Sequence, residues 1–156
     1  MKNALLAGPL VLGLLMLGMG VAKGNDAPSM NILVEDLEEE AARACGIDES
    51  SIESIATLTL RNNGIQVSAE DHPVYLYVHV TMIVNNAGCI ANLRVSVVSD
   101  LFPKASLDGF KPRSRAATAE LCVKGVLLTE SRGGMRDKIL SKVEENTKLC
   151  LGELEY

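Results

Sequence analysis

The chain of 156 residues contains no tryptophan and only five aromatic residues, three tyrosines and two phenylalanines. It therefore lacks the large aromatic platforms on which bases or sugars stack. It also lacks a surplus of basic residues, since its formal net charge is −5 and its acidic residues are spread along the sequence. Because phosphate binding needs a basic face, nucleic acid is not an expected partner.

Residues that commonly carry chemistry are scarce as well. His72 and His79 are the only histidines, and their spacing along an extended segment should turn them to opposite faces, where they cannot share a metal ion. Gly-x-Ser-x-Gly and phosphate-binding glycine loops are absent. We therefore expect no metal, no cofactor and no enzymatic activity. The alternative hypothesis is a small secreted hydrolase or a thiol-dependent enzyme that uses a free cysteine.

The first 22 residues have the layout of a secretory signal peptide. A short positive start and a long apolar run precede Gly20 and Ala22, the small residues that signal peptidase requires. The alternative is an uncleaved membrane anchor, because the apolar run is nearly long enough to span a bilayer; the protein would then be a membrane-anchored structural subunit. We expect a signal peptide over residues 1–22, a flexible leader over 23–29 and one domain over 30–156, in a periplasmic or secreted protein. Membrane contact is expected only through an uncleaved N-terminal segment.

All four cysteines lie in the expected mature chain, and no pair has the CxxC spacing of a zinc or redox site. Their even number in an exported protein predicts two disulfides, for which three connectivities exist. We favour Cys89–Cys122 and Cys45–Cys150, because pairing of the last two strands would bring the start of one near the end of the other. Alternation puts Cys89 on the inner face and Cys122 on the outer face, so this pairing requires a β-bulge near Gly88.

The stretch from Pro73 to Val84 predicts a long central strand, because it alternates over twelve residues rich in β-branched and aromatic side chains. Its inner, core face carries Val74, Leu76, Val78, Val80, Met82 and Val84. Its other face carries Tyr75, Tyr77, His79, Thr81 and Ile83. We interpret the second face as the side that a partner would meet.

The rest of the chain predicts short strands at Met30–Val34 and Ile65–Val67 and a hairpin turn after the central strand. Two further strands follow, Cys89–Ser99 and about Arg115–Lys124; the second has Ala117, Ala119, Leu121 and Val123 on its inner face. Caps at Asp48 and Gly64 predict one helix, and an apolar stripe predicts another over about Met135–Leu151. The expected fold is α+β, a two-layer sandwich with two main helices on one face of a mostly antiparallel sheet of four or five strands.

Tyr75, Tyr77 and His79 form one row on the outward face of the central strand, and Arg94 faces outward on the next strand. Amphipathic aromatic residues beside an arginine are typical anchors of protein interfaces. This face is the first candidate binding surface, for an envelope protein or a second copy of the chain. The alternative is an ordinary half-exposed sheet face.

The connection from Asp100 to Ser114 is the second candidate, because it is long for a hairpin loop. It gathers Lys104, Lys111 and Arg113 in an otherwise acidic chain. The alternative is a loop whose phenylalanines tuck under the sheet while its lysines stay in water. Together these features predict a disulfide-stabilised binding or accessory module of the cell envelope.

Residues Leu60–Val67 read LRNNGIQV, and PVYLYV follows at Pro73–Val78. This pair resembles the motifs of a group of small uncharacterised bacterial exported proteins that carry LR-x-x-GI-x-V and then P-Y-L-Y-V. Ile32–Leu37 and Met135–Ile139 fit the same pattern, so the resemblance spans most of the mature chain. It implies the α+β layout and a periplasmic location, and it implies no activity. The chain departs from the pattern at Leu121–Cys122, where an aromatic residue is expected.

Overall fold

The computed structural model describes residues 27–69, 72–101 and 117–154. The elements, in chain order, are β1 (Ser29–Val34), α1 (Glu39–Cys45), α2 (Glu49–Asn62), β2 (Gln66–Val67), β3 (Val74–Asn85), β4 (Gly88–Leu101), β5 (Ala117–Glu130) and α3 (Arg132–Glu153). The predicted signal peptide and the loop residues Lys104, Lys111 and Arg113 lie outside the described residues.

The five strands form one sheet in the order β2-β1-β3-β4-β5. The strands β3, β4 and β5 are antiparallel neighbours, whereas β1 is parallel to both β2 and β3. Parallel neighbours need a crossover connection rather than a hairpin, and α1 and α2 lie in the crossover that leaves β1. The predicted α+β fold with a mostly antiparallel sheet is confirmed.

The side of the sheet that packs against the helices, here called the inner face, carries the core. Leu76, Val78 and Val80 of β3 are buried there, in alternation with the half-buried Tyr75 and Tyr77 of the other side. All three helices contribute buried residues to the same core cluster as the inner face. The predicted core face of the central strand is therefore confirmed.

Local signals set the ends of the main helices. The carboxylate of Asp48 accepts a hydrogen bond from the backbone N–H of Ser51 at 2.8 Å, which caps α2. Gly64 follows α2 with a φ of 78°, a backbone conformation that glycine adopts without strain. In α3 the predicted stripe is buried, namely Met135, Ile139, Val143, Thr147 and Cys150. Both predicted helices are thus present, and α1 is a separate short helix that ends before Gly46.

The strand β5 differs from its prediction in length and in register. It continues to Glu130 rather than ending at Lys124. A register shift in β4 between Val97 and Val98 leaves Leu121 as an extra residue in β5, which is a β-bulge. The bulge reverses the alternation beyond it, so Leu121 and Val123 are exposed rather than inward as predicted.

The predicted disulfides Cys89–Cys122 and Cys45–Cys150 are wrong, although all four cysteines are paired. The bonds join Cys45 to Cys89 and Cys122 to Cys150. Because β5 runs on to Glu130, the residue opposite Cys89 is Glu130, and Cys122 lies much closer to the connection between the strands. The bulge turns Cys122 inward towards α3, while Cys89 meets the end of α1. Each disulfide therefore ties a helix to the inner face.

Candidate binding surface on the outer face

The outer face is the side of the sheet opposite the inner face. Its side chains stand in rows across the strands, because residues opposite one another in register point to the same side. One central row consists of Leu33, Tyr77, Ser96 and Val123. The row beside it consists of His79, Arg94 and Gly125. Tyr75 stands in the next row, opposite Val98. The fold thus brings together the four predicted binding residues of the strands, Tyr75, Tyr77, His79 and Arg94.

Glu35 completes a polar cluster at the β1 side of the outer face. Its backbone N–H donates to the carbonyl of Val78 at 3.0 Å, which extends the parallel contact of β1 with β3. Its carboxylate accepts a hydrogen bond from the hydroxyl of Tyr77 and lies 3.6 Å from Nε2 of His79. The rings of Tyr77 and His79 have centroids 6.3 Å apart. The Glu35 carboxylate therefore orients the Tyr77 ring, while Nε2 of His79 lies nearer to Oγ1 of Thr81, at 3.2 Å.

These surroundings keep the two phenols protonated. The hydrogen bond to Glu35, followed by burial and the charge of Glu35, raises the pKa of Tyr77 to about 12. Burial and, secondarily, the charge of Asp100 raise the pKa of Tyr75. A phenol is neutral at physiological pH even without such a shift, and the raised pKa values keep both hydroxyls as donors and acceptors at more alkaline pH as well.

Arg94 forms an ion pair with Glu120 of β5 on the outer face. Both side chains are more than two-fifths exposed, so the pair contributes little to folding stability. Ser96 lies between the two partners of this ion pair, because its row is between the row of Arg94 and the row that contains Val98 and Glu120. Ser96 has no exposed surface, and its Oγ has no hydrogen-bond partner among the described residues. The outer face is thus densely covered at its centre.

Exposed apolar side chains surround this polar centre. Of the seven large apolar side chains that are exposed in the described residues, four lie on the outer face, namely Leu33, Ile83, Val123 and Leu127. A fifth, Leu121, lies at the bulge, and the other two lie on helices. A shallow depression between the rows is lined by Leu33, Tyr75, Tyr77, Val98, Thr118 and Glu120. These apolar side chains and the depression add contact area to the polar centre of the outer face.

Sequence reasoning missed Glu35 and Glu120 as parts of this surface. No local signal marks Glu35, because nothing in the sequence shows that β1 lies parallel to β3. Glu120 reaches Arg94 through pairing of β4 with β5, whose register depends on the bulge. The second candidate surface, with Lys104, Lys111 and Arg113, stays a prediction, since it lies outside the described residues.

The four sulfurs bear on the enzymatic alternative. All four cysteines are in disulfides and at most 5% exposed, so a thiol-dependent reaction has no free cysteine to use. Disulfides of this kind are typical of proteins that fold outside the reducing cytoplasm. Within the described ranges, no three His, Cys, Asp or Glu side chains are grouped as metal ligands. None of the helices in those ranges is long and apolar enough to cross a membrane.

Comparison with known proteins does not assign a function to this surface. No protein-family model matches the chain, and no curated protein matches it. Among solved structures, a minor lipoprotein from Acinetobacter baumannii aligns over 82% of this chain and 96% of its own, at 9% identity and a TM-score of 0.37. A likeness this distant carries no functional argument, and the function must be inferred from the surface itself.

Proposed function

We propose that the protein is an exported component of the cell envelope that works by binding another envelope protein through its outer face. The observation that carries the proposal is that, among the described residues, the helices pack against the inner face only. All the described helices contribute to the core of the inner face, while the outer face presents Tyr75, Tyr77, His79 and Arg94 among exposed apolar residues.

The proposed location rests on the cysteines and on the N-terminus. Two disulfides persist only where the surroundings are oxidising, such as the bacterial periplasm or the extracellular space. The signal peptide predicted for residues 1–22 would deliver the chain there. The resemblance to small exported bacterial proteins supports the periplasm as the destination.

The chemistry of the outer face favours a protein partner. Tyrosine and arginine are enriched among the residues that dominate binding energy in protein interfaces. The ion pair of Arg94 with Glu120 is exposed, so a partner carboxylate can replace Glu120 at little cost in folding stability. The cluster of Glu35, Tyr77 and His79 offers a preoriented acceptor and two amphipathic rings for contacts beside it.

Site-specific photo-crosslinking in living cells tests this proposal, with the photoreactive residue replacing Tyr77. A matched probe at Leu149, which is 50% exposed on α3, controls for random encounters. We expect a discrete adduct with one heavier protein from position 77 and none from position 149. An adduct of twice the monomer mass, or no adduct above the control, would contradict the proposal.

The contribution of Arg94 gives a second readout. With the probe kept at position 77, Arg94→Ala should lower the yield of the adduct about tenfold, as loss of an interface anchor typically does. The exposed Arg61 of α2 provides the control, and Arg61→Ala should leave the yield unchanged. Equal yields in the two variants would remove Arg94 from the contact surface.

A further inference from the structure

The free edge of β5 is a second surface, distinct from the outer face. Among the described strands, β5 is paired on one side only, with β4. Antiparallel pairing uses the backbone groups of every second residue and leaves the alternate groups pointing away. The N–H of Asp100 donates to the carbonyl of Pro73 at 2.7 Å, so the even-numbered residues of β4 bond to β3 and the odd-numbered ones bond to β5.

The register of β4 with β5 shows which residues of β5 bond to β4. The odd-numbered residues of β4 from Cys89 to Val97 lie opposite the even-numbered residues of β5. The backbone N–H and C=O groups of the odd-numbered residues of β5 therefore point to the open edge, namely those of Val123, Gly125, Leu127 and Thr129. An independent contact agrees, because Lys138 Nζ reaches the carbonyl of Thr129 at 3.0 Å.

Both ends of this edge are protected, and none of the residues that the structure describes covers its middle. Lys138 covers the end at Thr129, and the bulge at Leu121 interrupts the regular strand at the other end. Proteins usually blunt an edge strand with charges, proline or bulges. The residues between the two ends whose backbone groups point outward are Val123, Gly125 and Leu127, and Leu127 is 68% exposed. This segment is open to the addition of another strand.

We propose that the edge of β5 pairs with the same edge of a second copy, in an antiparallel register centred on Gly125. In that register Gly125 faces its own symmetry mate, and Val123 faces the second copy's Leu127 on each side of the two-fold axis. These are the residues whose backbone groups point to the edge, so each pair exchanges two hydrogen bonds. Two-fold symmetry places the exposed Val123 of one copy beside the exposed Leu127 of the other, so the same segment supplies both apolar partners.

The charges of β5 agree with this register. Lys124 comes opposite Val126 of the second copy rather than opposite its own mate, and it is paired within its own copy with Glu153. Glu120 lies beyond the bulge. No like charges therefore stand directly opposite one another over the paired segment. The full sequence has a net charge of −5, and removal of residues 1–22, with Lys2 as their only charge, leaves −6 on each mature chain, so salt should strengthen the dimer by screening the remaining repulsion.

The size of the contact sets its expected strength. A stable interface typically buries roughly 1,600 Å² in total, and pairing of one short strand segment buries less. We therefore expect a weak dimer, populated at protein concentrations of roughly 100 µM and above. The two sheets would join into one continuous sheet across the two-fold axis. The dimer does not depend on the proposed function, because its hydrogen bonds use the backbone edge of β5. Val123 and Leu127 lie on the outer face, but they are not among the predicted binding residues Tyr75, Tyr77, His79 and Arg94.

Residue-resolved amide exchange, measured by NMR on the mature protein at low and high concentration, tests the proposal. At high concentration the amides of Val123, Gly125 and Leu127 should gain protection. The amides of Lys124 and Val126 should be protected at both concentrations, since they bond to β4. A protein that stays monomeric overturns the proposal, and so does a dimer in which the three edge amides exchange as they do in the monomer.

A matched pair of substitutions adds a second test by analytical ultracentrifugation. Leu127→Lys should weaken the dimer about tenfold or more, because it removes both symmetry-related Val–Leu pairs. Leu149→Lys, at a similarly exposed leucine of α3, should leave the dimer unchanged. Gly125→Pro removes an amide that points to the edge and not one that bonds to β4, so it should abolish the dimer while the fold persists. Equal dimerisation of the Leu127→Lys and Leu149→Lys variants would overturn the proposal.

Discussion

The inner and outer faces of the sheet are made by the same strands, yet they are built on different chemistry. Along β4, Leu93 and Val95 have no exposed surface and join the core, whereas Arg94 between them is more than two-fifths exposed. The inner face also carries both disulfide connections to helices. The outer face carries no disulfide. Its side chains are linked instead by the exposed ion pair of Arg94 with Glu120 and by the hydrogen bond from Tyr77 to Glu35.

This difference separates the parts of the chain that hold the fold from the parts that are free to serve another purpose. Burial of apolar groups and covalent links supply stability at the inner face. Exposed ion pairs contribute little, so Glu35 and Arg94 are poorly explained by stability alone. Changes at the inner face should therefore alter unfolding, and changes at the outer face should alter binding or titration.

Loss of a disulfide should have the largest effect, because each links the inner face to a helix. Cys45 and Cys89 are 44 residues apart, so replacing both by alanine should lower the free energy of unfolding by about 4 kcal/mol. Cys122 and Cys150 are 28 residues apart, and the same change there should cost about 3.5 kcal/mol. Urea unfolding of the two double variants measures both values. A loss below about 1 kcal/mol for either pair would contradict the chain-entropy account of its stabilisation.

A pair of leucine substitutions compares the two faces directly. Leu93→Ala removes a fully buried side chain of the inner face and should lower the free energy of unfolding by about 3 kcal/mol. Leu127→Ala removes a side chain that is 68% exposed on the outer face and should cost less than about 0.5 kcal/mol.

Urea unfolding at low micromolar concentration, where the chain is monomeric, measures both leucine variants. Similar losses would mean that the outer face is also part of the folding core. A large loss for Leu127→Ala that appears only at high concentration would instead come from the edge dimer.

Local patterns explain why much of this division was predictable. The alternation of β3 separates Leu76 and Val78 from Tyr75 and Tyr77 without knowledge of any neighbour, because side-chain direction has a period of two in a strand. The caps of α2 and the stripe of α3 are likewise local signals. The fold class, the core face and the Tyr–His row followed from such signals alone.

Features that depend on pairing between distant strands were not predictable. Gly125 breaks the pattern of β5 and concealed its continuation to Glu130, because a glycine inside a strand usually marks an interruption. Leu121 is an extra residue that shifts the register of β5 against β4 by one. Such a shift moves the side chains of β5 beyond it to the opposite face of the sheet. These two residues together account for the wrong disulfide pairing. The contact of Glu35 with His79 was missed for a related reason, since it depends on the crossover that places β1 beside β3.

The smallest expected effect is on the titration of Tyr77, and it tests whether Glu35 organises the outer face. The neutral phenol donates to the Glu35 carboxylate, and the pKa of Tyr77 in the folded state is about 12, above the ordinary value of 10.0. Because the folded-state pKa is raised, this contact stabilises the protein fully below pH 10 and loses its contribution as the pH rises through about 12.

Ultraviolet titration of tyrosinate, with Tyr77→Phe used to assign the signal, measures this pKa. Glu35→Ala should return the pKa of Tyr77 towards its ordinary value, because it removes both the hydrogen-bond acceptor and the negative charge. The exposed Glu53 of α2 provides the control, and Glu53→Ala should leave the titration unchanged. If the two variants titrate alike, Glu35 does not orient Tyr77, and the polar cluster would lose its place in the proposed binding surface. A shift confined to Glu35→Ala would establish a preoriented donor–acceptor pair at the centre of that surface.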